Sequence, residues 1–210
     1  MLKFFPWRKA VILLCLSLFA AACSRSAPPP ALPYLGDDAV ILAFGDSLTY
    51  GTGARREQAY PAILSGLIGR TVVVEATPGD KTSDGLAKFD EALDEHRPDL
   101  LILCLGGNDF LRKVPLPVTR NNMVSMIERA RDQGIPVVLL AVPSPALFGL
   151  EAHPLYEELA TTYQLPLEND ILSEVFGNKA AKSDPLHPNA QGYAQVAEAL
   201  AALLRASGAL

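Results

Sequence analysis

Four uninterrupted apolar runs, separated by segments of helical spacing, restrict the fold of this chain more than any other feature of the sequence. The runs cover residues 39–44, 71–74, 100–105 and 137–142, and a weaker fifth lies at residues 165–167. Apolar residues that continue without alternation predict strands buried on both faces, as in a parallel sheet. We therefore predict an α/β fold: a flavodoxin-like, doubly wound parallel sheet of about five strands within a three-layer α/β/α sandwich.

Helical patterns lie between these runs, as the crossovers of a parallel sheet require. They cover residues 60–68, 83–95, 119–133 and 155–163. A last helix is predicted to begin after Asn189, an N-cap residue type, and to direct four side chains towards the sheet: Tyr193, Val196, Leu200 and Leu203. The length of 210 residues, half of them apolar, is sufficient for one domain with a large core.

The N-terminus has the features of a targeting segment. Lys3, Arg8 and Lys9 precede an uncharged run, residues 10–22, which ends at Cys23. As a helix this run would extend only about 20 Å, short of the roughly 30 Å hydrocarbon core of a bilayer. We therefore predict a cleaved signal peptide over residues 1–22 rather than a transmembrane helix.

Residues 18–23, Leu-Phe-Ala-Ala-Ala-Cys, resemble a bacterial lipoprotein signal, in which the cysteine is acylated. The resemblance implies lipidation of Cys23 and attachment to a membrane at the periplasmic face of the bacterial cell envelope. Residues 23–38, which include three consecutive prolines, are then the lipidated cysteine and an extended linker. Residues 39–210 are the folded domain. Ordinary cleavage after Ala22, which would give a soluble periplasmic protein, is the alternative.

Charge and cysteine content narrow the classes of function. Without residues 1–23 the chain has 15 basic and 23 acidic side chains, which argues against nucleic acid as a partner. Cys104 lies inside the third apolar run and has no partner once the N-terminal segment is set aside, so no disulfide is predicted. No Cys/His spacing is typical of a zinc site, and we predict neither a metal nor a cofactor.

Three polar clusters follow the first three predicted strands. They are residues 45–51, Gly-Asp-Ser-Leu-Thr-Tyr-Gly, residues 78–82, and residues 106–109, Gly-Gly-Asn-Asp. The carboxyl ends of parallel strands meet at one edge of the sheet, which is the usual ligand site in such folds. The three clusters are therefore predicted to converge on one site.

Ser47 belongs to the first cluster, and the groups that could activate it lie near the C-terminus. A serine becomes a nucleophile when a base accepts its proton and a carboxylate orients that base. His187 and Asp184 lie in an Asp-Pro-Leu-His segment whose prolines disfavour a helix. The developing oxyanion also needs donors, and the candidates are the backbone N–H groups of Ser47 and Gly79 and the amide NH₂ of Asn108.

Taken together, these segments resemble the GDSL, or SGNH, hydrolase family. Residues 45–48 match the first block of the family, Gly79 with Thr82 the second, residues 106–109 the third and residues 184–187 the last. Pro78 departs from the second block, where serine is usual. The resemblance implies an SGNH hydrolase fold for the folded domain, and it implies the triad and oxyanion hole named above.

Within the family, residues 105–112 are most similar to the arylesterase, thioesterase I and lysophospholipase L1 group. This similarity implies a serine esterase that hydrolyses small acyl esters, thioesters or lysophospholipids through an acyl-enzyme. By analogy with the family, we expect Leu147 and Phe148, in the apolar segment 143–154, to form a wall of the acyl pocket. Asp46 and Asp109 are expected to have structural roles.

Two alternatives are open at this point. One is an esterase that removes acetyl groups from polysaccharides or other cell-envelope material. The other is a non-catalytic envelope lipoprotein that binds a ligand or partner. A monomer is expected in each case.

Mass spectrometry of the mature N-terminus tests the predicted anchor. We expect a chain that begins at Cys23 and has the added mass of acyl groups. An unmodified Cys23, or a product that stays soluble without detergent, would contradict lipidation.

Overall fold

The central sheet consists of parallel strands, as the uninterrupted apolar runs predicted. In the computed structural model, which describes residues 28–146 and 149–210, the strands are β1 Val40–Gly45, β2 Thr71–Ala76, β3 Leu100–Cys104, β4 Val137–Leu140, β5 Pro143–Ala146, β6 Gly149–Ala152 and β7 Leu167–Glu168. One sheet has the order β2-β1-β3-β4-β7, and every neighbouring pair in it is parallel. The predicted doubly wound sheet of five strands is confirmed.

Burial follows the position of each strand in the sheet. Every residue of β3 and β4, and of β1 from Ile41 onwards, is buried. β2 is only partly buried, because it forms one edge of the sheet and has a single neighbouring strand. The core therefore lies on both faces of the three central strands.

Helices cover both faces of the sheet. They are α1 Ser47–Tyr50, α2 Tyr60–Ile68, α3 Thr82–His96, α4 Gly107–Leu111, α5 Leu116–Asp132, α6 Pro154–Tyr163, α7 Ile171–Gly177 and α8 Ala190–Ala206. The chain passes from β1 to β2 and then back across β1 to β3, so right-handed crossovers place α2 and α3 on opposite faces. α2 packs against α8, and α3 packs against α5. None of these described helices is long and apolar enough to cross a bilayer.

The C-terminal helix begins where the sequence predicted. The Asn189 side chain accepts hydrogen bonds from two backbone N–H groups of the first turn of α8, at 3.0 and 3.1 Å. Tyr193, Val196 and Leu200 are fully buried against the sheet. Leu204 is also fully buried on this face, because three turns of a helix advance about eleven residues from Tyr193, and the predicted Leu203 is partly buried and packs against the core.

A hairpin that the sequence did not predict follows β4. β5 and β6 pair antiparallel and are separate from the main sheet. Prolines at positions 143 and 145 cannot donate to a strand ladder, so the segment lacks the usual sequence signal of a strand. Leu147 and Phe148, the predicted pocket residues, lie outside the described residues, and so do the predicted signal peptide and Cys23.

The segment predicted as a linker is partly integrated into the fold. The backbone N–H of Leu32 donates to the carbonyl of Ser207 at 2.8 Å, and that of Leu35 donates to Ala209 at 2.9 Å. Leu35 is buried. α8 extends about 25 Å from its first residue, so these contacts lie at the edge of the sheet opposite the carboxyl ends of the strands. The folded unit therefore begins before the predicted boundary at residue 39.

Candidate active site

The predicted site lies where the strand order reverses. β1 and β3 are neighbours although β2 separates them in sequence, and the chain leaves their carboxyl ends in opposite directions. Ser47 is the first residue of α1, directly after β1, and Asn108 lies in α4, directly after β3. A crevice therefore opens between these two loops at the edge of the sheet.

Consecutive side-chain hydrogen bonds join Ser47 to His187 and His187 to Asp184. The Nε2 atom of His187 lies 3.1 Å from Ser47 Oγ, and its Nδ1 atom lies 3.0 and 2.9 Å from the two carboxylate oxygens of Asp184. A carboxylate only accepts, so Nδ1 carries the proton of the neutral ring and Nε2 is free to accept from the serine hydroxyl. The structure brings together the three residues that the sequence predicted as a triad.

Asp184 is held in place by the backbone of its own loop. Its Oδ1 atom accepts from the backbone N–H of Leu186 at 2.8 Å and from that of His187 at 3.0 Å. The bond from Leu186, followed by the bond from the His187 side chain, lowers the pKa of Asp184 below its ordinary value. The carboxylate is therefore charged at neutral pH and can stabilise a protonated imidazole.

Gly79 and Asn108, the other predicted oxyanion donors, border the same cavity as Ser47. Gly79 has φ of +89°, a left-handed backbone conformation that residues with a side chain rarely adopt. In the described part of the chain, the backbone N–H groups of Ser47 and Gly79 have no acceptor. Both are therefore available to a substrate oxygen.

The amide of Asn108 already has two acceptors. Its Nδ2 atom donates to Asp46 Oδ2 and to the backbone carbonyl of Asp80, both at 3.0 Å. Asp46 also accepts from the backbone N–H of Leu48 through Oδ1 at 3.0 Å, which caps α1. Asp46 thus has the structural role predicted for it, and it also orients Asn108, a contact that the sequence did not indicate.

Asp109 connects the third loop to two helices. It is buried and accepts hydrogen bonds from the backbone N–H of Thr82 at 2.8 Å, the Thr82 hydroxyl at 2.6 Å and the Thr119 hydroxyl at 3.2 Å. The N-terminal ends of α3 and α5 are thereby fixed to α4, which contains Asn108. This contact agrees with the structural role predicted for Asp109.

Lys88, a residue that the sequence reasoning missed, supports the loop that contains Gly79. Its ammonium group donates to Thr77 Oγ1 at 2.7 Å and lies 2.9 Å from Asp80 Oδ2. Glu75 Oε1 is 3.5 Å away. A lysine in an amphipathic helix is ordinary in sequence, so only the three-dimensional contacts show that it holds this loop.

A cavity of about 500 Å³ extends from Ser47 and His187. Most of its lining is apolar: Leu48, Pro78, Leu111, Val142, Pro143, Leu150, Phe176, Pro185 and Leu186. Pro143 and Leu150 belong to the hairpin in which a pocket wall was predicted. Leu111 and Leu186 lie within segments that the sequence analysis recognised, residues 105–112 and 184–187, whereas no sequence signal marks Phe176. In residues 28–146 and 149–210, no group of three or more His, Cys, Asp or Glu residues is placed to hold a metal ion.

His153 connects the hairpin to α4. Its Nδ1 atom accepts from the backbone N–H of Leu155 at 3.2 Å and so caps α6, and its ring stacks on Phe110 with centroids 4.2 Å apart. Partial burial lowers the pKa of His153. The histidine is therefore a neutral packing element beside the site.

An α/β/α sheet with a linked serine, histidine and carboxylate at its carboxyl edge has the arrangement of an ester hydrolase. A sequence model described as the GDSL-like lipase/acylhydrolase family matches residues 43–195. The chain therefore belongs to this family of ester-hydrolysing enzymes, as its motifs predicted. This assignment argues against the alternative of a non-catalytic envelope protein.

Individual relatives agree with the predicted subgroup. The chain is 32% identical to an arylesterase of Vibrio mimicus over 171 residues, which cover 77% of this chain and 86% of the relative. It is 26% identical to thioesterase 1/protease 1/lysophospholipase L1 of Escherichia coli strain K12, with 96% and 93% coverage. The crystal structure of TesA superposes with a TM-score of 0.72 at 27% identity and covers 79% of this chain and 98% of that chain.

The buried carboxyl of Asp46 makes the folding stability of the protein depend on pH. Burial raises the pKa of its carboxyl from an ordinary 3.8 to about 6, and the bonds from Leu48 and Asn108 only partly offset that rise. Below about pH 4 the group is protonated in both the folded and unfolded states; between about pH 4 and 6 the unfolded state alone releases the proton. Ionisation therefore favours unfolding as the pH rises.

We expect the unfolding free energy of the parent, relative to that of Asp46→Asn, to fall by about 2 kcal/mol as the pH rises from 4 to 7. Asparagine does not titrate, so the difference between the two proteins isolates this carboxyl. Denaturant melts at several pH values measure it. Parallel curves for the two proteins would contradict the raised pKa.

Proposed function

We propose that the protein is a serine esterase in which Ser47 is the nucleophile, His187 the general base and Asp184 the carboxylate that orients it. The observation that carries the proposal is the 3.1 Å contact of His187 Nε2 with Ser47 Oγ, while Nδ1 of the same ring is bound to Asp184. In this geometry His187 Nε2 is the acceptor of the serine proton, and the bond from Nδ1 to Asp184 fixes the tautomer of the imidazole.

In the proposed reaction, the Ser47 hydroxyl transfers its proton to His187 as Oγ bonds to the carbonyl carbon of the ester. The carbonyl oxygen becomes an oxyanion, to which the backbone N–H groups of Ser47 and Gly79 donate. The imidazolium then protonates the leaving oxygen or sulfur, and the acyl group stays on Ser47. A water molecule, deprotonated by His187, then attacks the acyl carbon. The bond from this carbon to Ser47 Oγ breaks as His187 returns the proton to Oγ, and the carboxylic acid is released.

Asn108 supplies the third donor in this scheme. Because both of its amide hydrogens are already accepted, donation to the oxyanion competes with the Asp80 carbonyl or with Asp46. A full negative charge on the substrate oxygen is a stronger acceptor than a neutral carbonyl. When an Asn108 hydrogen bond moves from the Asp80 carbonyl to the substrate oxygen, it therefore stabilises the tetrahedral intermediate more than the bound ester. Catalysis requires this difference.

The proposed substrates are carboxylic esters or thioesters with an apolar acyl group, including lysophospholipids. The apolar lining of the cavity supports this choice, and its volume falls in the usual range for small-molecule sites, roughly 300–1,000 Å³. The names of the arylesterase and thioesterase/lysophospholipase relatives support it as well.

We further propose that the enzyme is a monomer held at the periplasmic face of the cell envelope by acylated Cys23. The signal-like residues 18–23 motivate this placement. A soluble periplasmic enzyme is the alternative, and the mass of the mature N-terminus distinguishes the two.

Ser47→Ala and His187→Ala should each lower kcat/KM for p-nitrophenyl butyrate by at least about a thousandfold, because either change removes the activated nucleophile. A fluorophosphonate should label Ser47 in the parent and fail to label Ser47→Ala. His96→Ala is a matched control, since His96 ends α3 at the opposite edge of the sheet, and it should retain activity within about twofold. Full activity in Ser47→Ala would contradict the mechanism.

A series of p-nitrophenyl esters of increasing acyl length distinguishes the proposed substrates from acetyl groups on polysaccharides. An apolar cavity that buries the acyl chain should raise kcat/KM by up to about fourfold per added methylene until the cavity is filled. A sharp maximum at acetyl would instead favour the O-acetyl esterase.

A further inference from the structure

The opening of the cavity is surrounded by exposed leucines. Leu111, Leu150 and Leu186 all line the cavity, and their exposed fractions are 57%, 38% and 51%. They come from three separate segments: α4, the hairpin and the loop before α8. Single exposed leucines are ordinary, but three that converge on one opening form an apolar patch.

Two cations adjoin this patch. Arg112 and Lys113 follow Leu111 directly and are exposed. The Nη2 atom of Arg112 lies 3.5 Å from the position that a Cβ on Gly79 would occupy, which places the guanidinium beside the cavity opening. Among the described residues, neither cation forms an ion pair, in contrast to Arg70, Lys88 and four other cationic side chains: Arg55, Lys81, Arg120 and Arg129.

Apolar side chains that project beside unpaired cations are complementary to the surface of an anionic bilayer. The headgroup region of an anionic bilayer attracts lysine and arginine, and the layer beneath it accepts apolar side chains. The chain as a whole has a formal charge of −5, so this combination is a local feature rather than a consequence of net charge. Glu151, next to Leu150, is exposed and opposes such docking.

We propose that Leu111, Leu150, Leu186, Arg112 and Lys113, here called the cavity rim, dock the enzyme on an anionic lipid surface. In that position the cavity opens directly onto the acyl layer, so an ester with a lipid chain enters without crossing water. The passage of the acyl chain to Ser47 rests on the proposed function. The docking itself does not, and it is measurable in a protein that cannot turn over.

Vesicle co-sedimentation tests the docking with the full chain carrying Cys23→Ser and Ser47→Ala. The first change removes the predicted anchor, and the second prevents hydrolysis. The vesicles are phosphatidylcholine mixed with phosphatidylglycerol, compared with phosphatidylcholine alone. We expect stronger binding to the mixed vesicles, and a decrease of this binding with salt.

Arg112→Gln with Lys113→Gln should lower the partition coefficient on mixed vesicles by about tenfold or more. Leu111→Ser with Leu186→Ser should lower it by at least a similar factor, about tenfold. Glu151→Gln should raise it. Circular dichroism and thermal melts verify that each variant is folded.

Leu67 and Arg205 provide a matched control pair. Both are exposed, they contact each other through a 3.4 Å hydrogen bond, and they lie at the opposite edge of the sheet. Leu67→Ser with Arg205→Gln should leave binding within about twofold of the parent. Equal binding to both vesicle types, or an equal loss in the control pair, would overturn the proposal. Hydrolysis of p-nitrophenyl butyrate by the active parent tests the proposed function separately.

Discussion

The hydrogen bonds that hold Asn108 between Asp46 and Asp80 are the interaction on which the rest of the site depends. An ionised, buried Asp46 can only accept, so it determines which end of the Asn108 amide faces it. The carbonyl of Asp80 ties the loop containing Gly79 to the same amide. One side chain thus fixes the relative positions of three loops, and the unfavourable burial of the Asp46 charge is the cost of this arrangement.

The register of the sheet makes this interaction geometrically possible. Gly45, the last residue of β1, pairs with Ala76 on one side and with Cys104 on the other, so the three loops begin at the same level. A Cβ at Gly45 would overlap Thr49 and the Cys104 carbonyl, and only glycine lets α1 turn this tightly over the sheet. The position of Ser47 is therefore a direct result of backbone packing.

The central strands and the main helices could be predicted because buried parallel strands leave long apolar runs, as in β3 and β4. Ser47, Gly79 and Asn108 could be proposed because their motifs follow strand ends, and Asp184 and His187 because one short motif supplies both a carboxylate and a base. The hairpin of β5 and β6 could not be predicted, because its prolines disfavour strands and its contacts are nonlocal. Neither could the pairing of Leu32 and Leu35 with the C-terminus, which joins residues that are far apart in sequence.

Because the N-terminal segment is attached to the fold, only a short stretch of chain would separate the domain from a membrane anchor at Cys23. Residues 24–27 separate Cys23 from Pro28, which already lies beside α6, β7 and α8, and they extend at most about 14 Å. A domain of this length is about 40 Å across, and the tether leaves it along the β7 side of the sheet rather than beside the cavity. A domain tethered in this way therefore turns the β7 side of its sheet towards its own membrane, and it must tilt to bring its opening to lipids in that membrane.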